Sequence, residues 1–147
     1  MREKETIETY SAQETREAGR RMGLEAAPCQ VVTLVGDLGT GKTVFAQGFA
    51  DGLGIRESVN SPTFTILQVY EEGRIPLYHF DVYRIGDIEE MLEIGWEEYV
   101  WADGVCLVEW ADMIEDLISE IPQEKIRRVE IRKDLEKGMD YRRIEIS

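Results

Sequence analysis

Histidine is almost absent from this chain and cysteine is scarce, with one His and two Cys in 147 residues. The cysteines, Cys29 and Cys106, stand far apart with no C-x-x-C pair, and Cys106 lies inside an apolar run. Neither a disulfide framework nor a zinc site is expected. No stretch approaches the ~18 consecutive apolar residues of a membrane span. The start, Met1-Arg2-Glu3-Lys4-Glu5, leads into polar residues rather than a signal-peptide core, so the expectation is a cytoplasmic protein with no membrane partner. Repeats, low-complexity tracts and Pro/Ser-rich linkers are also lacking, and 43% hydrophobic content fits one domain spanning residues 1–147. Positive charge is in deficit: 17 Lys+Arg against 30 Asp+Glu give a net charge of −13, which repels nucleic acid at long range. Residues 125–147 run the other way, with eight Lys/Arg against five Asp/Glu, so they carry +3 and the remainder −16. That segment reads as a solvated strand surface or as a contact for an anionic ligand or acidic partner.

What is present is a regular alternation of elements. Ser11-Ala12-Gln13-Glu14 has the S-x-x-E form of a capping box, which predicts a helix from Ser11 to about Leu24. Val31-Val32-Thr33-Leu34-Val35 is a short β-branched run ending at Gly36, the pattern of a strand buried on both faces. Phe45, Phe49 and Leu53 then recur at helical spacing, and Gly52 and Gly54 are expected to end that helix. Thr65 to Tyr70 and Arg74 to Tyr83 read as a hairpin. Asp87 opens a helix with Ile88, Met91, Leu92 and Gly95 on one face. Val105 to Val108 is a second buried strand delivering Glu109 at its end. Asp112 is expected to open a helix with a stripe of Met113, Ile114, Leu117, Ile118 and Ile121, and Ile126 to Arg132 with Tyr141 to Ile146 closes the chain as a hairpin around Gly138. The fold class is therefore α/β, a P-loop NTPase-type three-layer α/β/α arrangement with a mixed parallel and antiparallel sheet.

Between the first buried strand and its helix stands Gly36-Asp37-Leu38-Gly39-Thr40-Gly41-Lys42-Thr43, which matches G-x-x-x-x-G-K-[ST]. On average composition about one chain in two hundred of this length would carry that pattern by accident. Its placement decides the matter. A strand, a glycine loop and a helix N-terminus in succession let backbone N–H groups converge on phosphate oxygens. Gly36, Gly39 and Gly41 would allow the bend, Lys42 would neutralise the β- and γ-phosphates, and the Thr43 hydroxyl would coordinate Mg2+. Such a site needs a carboxylate at a neighbouring strand end. Glu109 is the candidate for magnesium, and Asp81, in His79-Phe80-Asp81, is the candidate for orienting the attacking water. His79 reads first as a hydrogen-bonded packing residue, Trp110 as core or as a gate on the site, and Asn60 to Phe64 as a loop where GTPases place a switch.

These residues resemble one family as a set. Gly-Asp-Leu-Gly-Thr-Gly-Lys-Thr at 36–43, Ser-Pro-Thr-Phe-Thr at 61–65, Tyr-His-Phe-Asp-Val-Tyr-Arg at 78–84 and Leu-Val-Glu-Trp at 107–110 are similar, in that order, to the TsaE family of bacterial ATPases required for threonylcarbamoyladenosine in tRNA. The resemblance implies an ATP- and Mg2+-dependent hydrolase acting on a complex of TsaD and TsaB, with tRNA met indirectly through that complex. It implies Lys42, Asp81 and Glu109 as catalytic residues and Thr43 and Glu109 as metal ligands. It further implies Gly36 to Thr43, with Asp37, Leu38 and Thr40 among them, as the phosphate cradle, Ser61 to Thr65 as a switch loop, and Ser11 near the nucleotide base. Phe64 departs from the Tyr of many members and removes a hydroxyl there.

Two other classes remain open on the residues alone: a small-molecule kinase, and a nucleotide-dependent binding switch without turnover. A kinase would need an arginine-bearing lid, and Arg127-Arg128 and Arg132-Lys133 fall on predicted strands. A GTPase is disfavoured because no N-K-x-D segment follows Glu109. Turnover by the isolated chain is expected to be slow, since Arg84 is the only evident arginine finger.

Overall fold

A computed structural model describes residues 4–36, 41–59, 66–83 and 85–147. Four strands form its parallel centre: Val31–Val35 (β2), Leu77–Asp81 (β4), Val105–Glu109 (β5) and Ile126–Lys133 (β6), with Glu5–Thr9 (β1), Leu67–Tyr70 (β3) and Arg142–Ile146 (β7) completing the sheet. The order is β1-β7-β6-β2-β5-β4-β3. The β2–β5, β2–β6 and β4–β5 pairs are parallel, while β1–β7, β6–β7 and β3–β4 are antiparallel. The expected mixed sheet and both hairpins are present, with β3 and β4 shorter than the periodicity indicated. The strand β1 was not expected. Its sequence, ETIET, has Ile7 as its one apolar side chain with Thr9 buried at its end, and what forms the strand is its ladder to β7.

Side chains of the central strands alternate between the two faces. Val32, Leu34, Val105, Leu107, Val129 and Ile131 pack under Ala12–Glu25 (α1) and Lys42–Leu53 (α2), whereas Val31, Cys106, Val108 and Phe80 pack on the opposite face. There Ile88–Glu93 (α3), Trp96–Val100 (α4) and Glu115–Ile118 (α5) supply Met91, Trp96, Val100, Leu117 and Ile118. Helices on both faces of one sheet make the three-layer α/β/α arrangement that the sequence predicted. Phe45 and Phe49 have no exposed surface, and burial of each contributes about 1.5–3 kcal/mol. Cys106 is buried as well, and desolvation pushes its thiol up to about 12.

Three local expectations give way to tertiary packing. Gly52 does not end α2; that role belongs to Gly54, in the left-handed region at φ 85°. Gly52 instead lies against α1, where a Cβ would come 2.2 Å from the Arg20 carbonyl oxygen. One turn earlier the approach is tighter, since a Cβ on Gly48 would stand 1.9 Å from the Arg16 carbonyl oxygen. The two helices therefore meet backbone to backbone. Leu92 and Met113 are each 45% exposed and join no apolar stripe. After β5 the chain does not start a helix at Asp112: Trp110, at φ 61°, turns directly into a 3-10 segment, Ala111–Ile114, ahead of the short α5.

Candidate functional site

The parallel strands β2, β4 and β5 end together, and the N-terminus of α2 opens over those ends. Their register puts Leu34 beside Glu109 and Asp81 beside Glu109. Because side chains alternate along a strand, His79 and Asp81 share one face of β4. Glu109 shares a face of β5 with Leu107, which packs in the cluster under α1 and α2.

Lys42 is the first residue of α2 and is 7% exposed. Its ammonium donates to the Gly36 carbonyl at the end of β2 and stands 3.5 Å from the centroid of the Trp110 ring. Gly41 precedes it at φ 95°, a conformation that glycine adopts without strain. Thr43 follows on the exposed side of the same turn. Trp110 is half-buried, and Tyr83 flanks it with ring centroids 4.7 Å apart. Its left-handed backbone is uncommon for a large residue, and its N–H donates to the Leu34 carbonyl at 3.1 Å. The indole packs against the core with part of its surface exposed. It is a wall of the site that carries the Lys42 ammonium on its face, which a strand-end position in the sequence left open.

The two acids differ in environment. Asp81 is half-buried, and its Oδ1 accepts the Tyr83 N–H at 3.1 Å. Burial raises its pKa above the ordinary carboxylate value; the Glu109 carboxylate adds to the rise, while the Tyr83 N–H, His79 and Lys42 oppose it. Glu109 is 2% exposed, and its Oε2 lies 2.6 Å from His79 Nε2. No local pattern signals this pair, since 30 positions separate its members and only the β4–β5 register brings them together.

On the far side of Gly41 lies the N-terminus of α1. Ser11 is its cap: Ser11 Oγ accepts the Glu14 N–H at 3.1 Å, and Glu14 Oε1 accepts the Tyr10 N–H at 3.1 Å. The Thr9 and Thr15 hydroxyls are 2.7 Å apart. A Cβ on Gly41 would be 3.8 Å from both the Thr15 methyl and Arg142 Nε, so these two side chains border the loop as well. Arg142 was missed by sequence reasoning except as one charge among the excess in residues 125–147. Its Nη1 donates to the carbonyls of Met139 and Tyr141 at 2.9 and 2.7 Å. Asp37, Leu38, Gly39, Thr40, the Asn60 to Thr65 segment including Ser61 and Phe64, and Arg84 lie outside the described residues.

An ammonium, a hydroxyl and two carboxylates are thus gathered at one helix N-terminus. Oxygen donors of this kind, Thr43 with Glu109 and Asp81, match the preferences of Mg2+, which takes one or two carboxylates and keeps water and phosphate oxygens for the rest. The same helix end favours an anion.

A family model described as "Threonylcarbamoyl adenosine biosynthesis protein TsaE" matches residues 9–144. A protein of Bacillus subtilis named tRNA threonylcarbamoyladenosine biosynthesis protein TsaE is 50% identical over 121 residues, covering 82% of this chain and 73% of its own. A Treponema pallidum protein of the same name is 46% identical over 113 residues, covering 77% of this chain and 81% of its own. Among solved structures, the crystal structure of Bacillus subtilis YdiB superposes with a TM-score of 0.81 at 40% identity, over 99% of this chain and 86% of that one.

Proposed function

This chain belongs to the TsaE family, and on that footing we propose that it is a magnesium-dependent ATPase serving threonylcarbamoyladenosine modification of tRNA. Membership carries the biosynthetic role that the relatives' names state. The observation that supports the chemistry is the convergence of Lys42, Asp81 and Glu109 at the carboxyl ends of β2, β4 and β5. Segment 36–43 binds the triphosphate of ATP, with Lys42 balancing charge that develops on the β- and γ-phosphates. The Thr43 hydroxyl and the Glu109 carboxylate would hold magnesium, which would supply further neutralisation of those oxygens. Asp81, desolvated yet fixed by the Tyr83 N–H, orients the attacking water and accepts its proton. Ser11 and the start of α1 flank the base.

Hydrolysis is coupled to a TsaD–TsaB transferase complex, and tRNA is reached through that complex in the cytoplasm, because a chain of net charge −13 makes few phosphate contacts of its own. The 147 residues act as one domain. Phosphate release measured with and without purified TsaD–TsaB and tRNA tests the reading. Stimulation by the complex is expected; transfer of the γ-phosphate to a small metabolite would replace this reading with that of a kinase.

A further inference from the structure

His79 has no exposed surface and stands on β4, a strand with a partner on each side. Its Nε2 lies 2.6 Å from Glu109 Oε2, and its Nδ1 is buried without a hydrogen-bond partner among the described residues. That asymmetry assigns the proton. A hydrogen on Nδ1 would be a buried donor with no acceptor, whereas a hydrogen on Nε2 points at a carboxylate oxygen, so Nε2 donates and Nδ1 keeps a lone pair. Packing alone does not account for such a ring, because an apolar side chain beside Leu107 would leave no nitrogen unsatisfied. The benefit that offsets the stranded nitrogen lies in what Nε2 holds. The terminal torsion of a glutamate is broad and two-fold, and a rigid N–H on one of its oxygens removes that freedom.

We propose that His79 is a positioning residue, whose Nε2–H clamps Glu109 Oε2 and sets the orientation in which the Glu109 carboxylate meets the magnesium–nucleotide complex. The inference rests on the reading of Glu109 as a magnesium-holding residue. His79 acts one step behind the carboxylate: it touches neither metal nor phosphate, and works through the plane and rotation of Glu109. Outer partners of ligating groups characteristically govern metal affinity by about 10–100-fold.

Full-length wild type, His79→Gln and His79→Leu are compared for binding of a fluorescent ATP analogue in Mg2+ and in EDTA. The leucine variant is expected to lose about 10–100-fold in the Mg2+-dependent part of the affinity and to keep its affinity in EDTA. Glutamine, whose amide N–H can reach Glu109, restores part of the loss. Equal Mg2+ dependence in wild type and leucine variant overturns the inference and leaves the role of Glu109 standing. A wild type that binds no better in Mg2+ than in EDTA instead removes the metal role of Glu109, and the inference with it. A second measurement needs no variant. With one histidine in the chain, a 15N-histidine spectrum contains a single imidazole. A proton on Nε2 whose resonance shifts when Mg2+ is added to the nucleotide-bound protein supports the clamp, and a ring protonated on Nδ1 with a bare Nε2 overturns it.

Discussion

The ammonium of Lys42 rests 3.5 Å from the centre of the Trp110 indole, so the cation that is to meet phosphate is held on an aromatic face at the end of the neighbouring strand. A cation over tryptophan is stabilised by about 0.5–2 kcal/mol, enough to hold the side chain and little enough to release it to a triphosphate. Addition of MgATP is therefore expected to change the tryptophan emission of the wild type, and the Trp110→Phe variant should lose that response. The other two indoles provide a constant background, Trp96 buried and Trp101 beneath Lys125. Lys42→Ala should weaken ATP binding by about a hundredfold or more, given the strength of a unit charge at such range. A normal affinity in that variant would contradict the assigned role.

Glu109 has both a chemical and a structural neighbour, and its variants separate them. Glu109→Gln keeps an oxygen for the His79 N–H, whereas Glu109→Ala leaves that buried donor without an acceptor, at a cost of about 1–3 kcal/mol. Both should lose hydrolysis by about a hundredfold or more. Only the alanine variant should melt clearly earlier, by about 2–10 °C in calorimetry. If hydrolysis vanishes in either while tRNA modification by the partner enzymes continues unchanged, coupling to hydrolysis is refuted and a binding switch takes its place.

Asp81 makes stability depend on pH. Its folded-state pKa is raised by burial and by Glu109, so between the ordinary carboxylate value and the raised one the folded protein holds a proton that the unfolded chain has lost. Stability from this group is full below the ordinary value and falls as pH rises through the raised one. Asp81→Asn, which retains an oxygen for the Tyr83 N–H, is expected to melt above the wild type at pH 7 without nucleotide or metal. The gap should close on acidification, as melting curves over a pH series would record. A variant that melts below the wild type at pH 7 contradicts the desolvation argument. Its ATP hydrolysis should be lost in either case.

Gly48 has the tightest approach of the glycines between the two helices that border the site. An added methyl would meet the Arg16 carbonyl at 1.9 Å, and backbone cannot move aside as a side chain can. Gly48→Ala should cost about 3 kcal/mol, seen as a lower denaturant midpoint at unchanged slope. The same displacement moves the start of α1 relative to Gly41, so nucleotide affinity should fall with stability although residue 48 touches no ligand. A neutral Gly48→Ala would show that the helices have room to part.

The order of elements, the glycine loop before a helix and the acid at the end of a buried strand were legible because each is a local pattern: a run of Val31 to Val35, a spacing of Phe45 and Phe49, a carboxylate after Val108. Ser11 announced its own cap through Glu14, three residues away. What depends on distant partners was not legible. The strand Glu5–Thr9 exists through β7, more than a hundred residues downstream, and its own pattern is almost wholly polar. Gly52 looks like a helix end until α1 is laid against it, and nothing local in the sequence tells that Trp110, packed against the core, also lies under Lys42 through its left-handed backbone. His79 is one polar residue in an apolar strand, and only the pairing of β4 with β5 carries its Nε2 to Glu109. Which groups are available for chemistry could be read locally, because side-chain type and spacing are properties of short segments. The sheet order and helix docking decided which of those groups touch, because long-range pairing places residues that no local pattern relates.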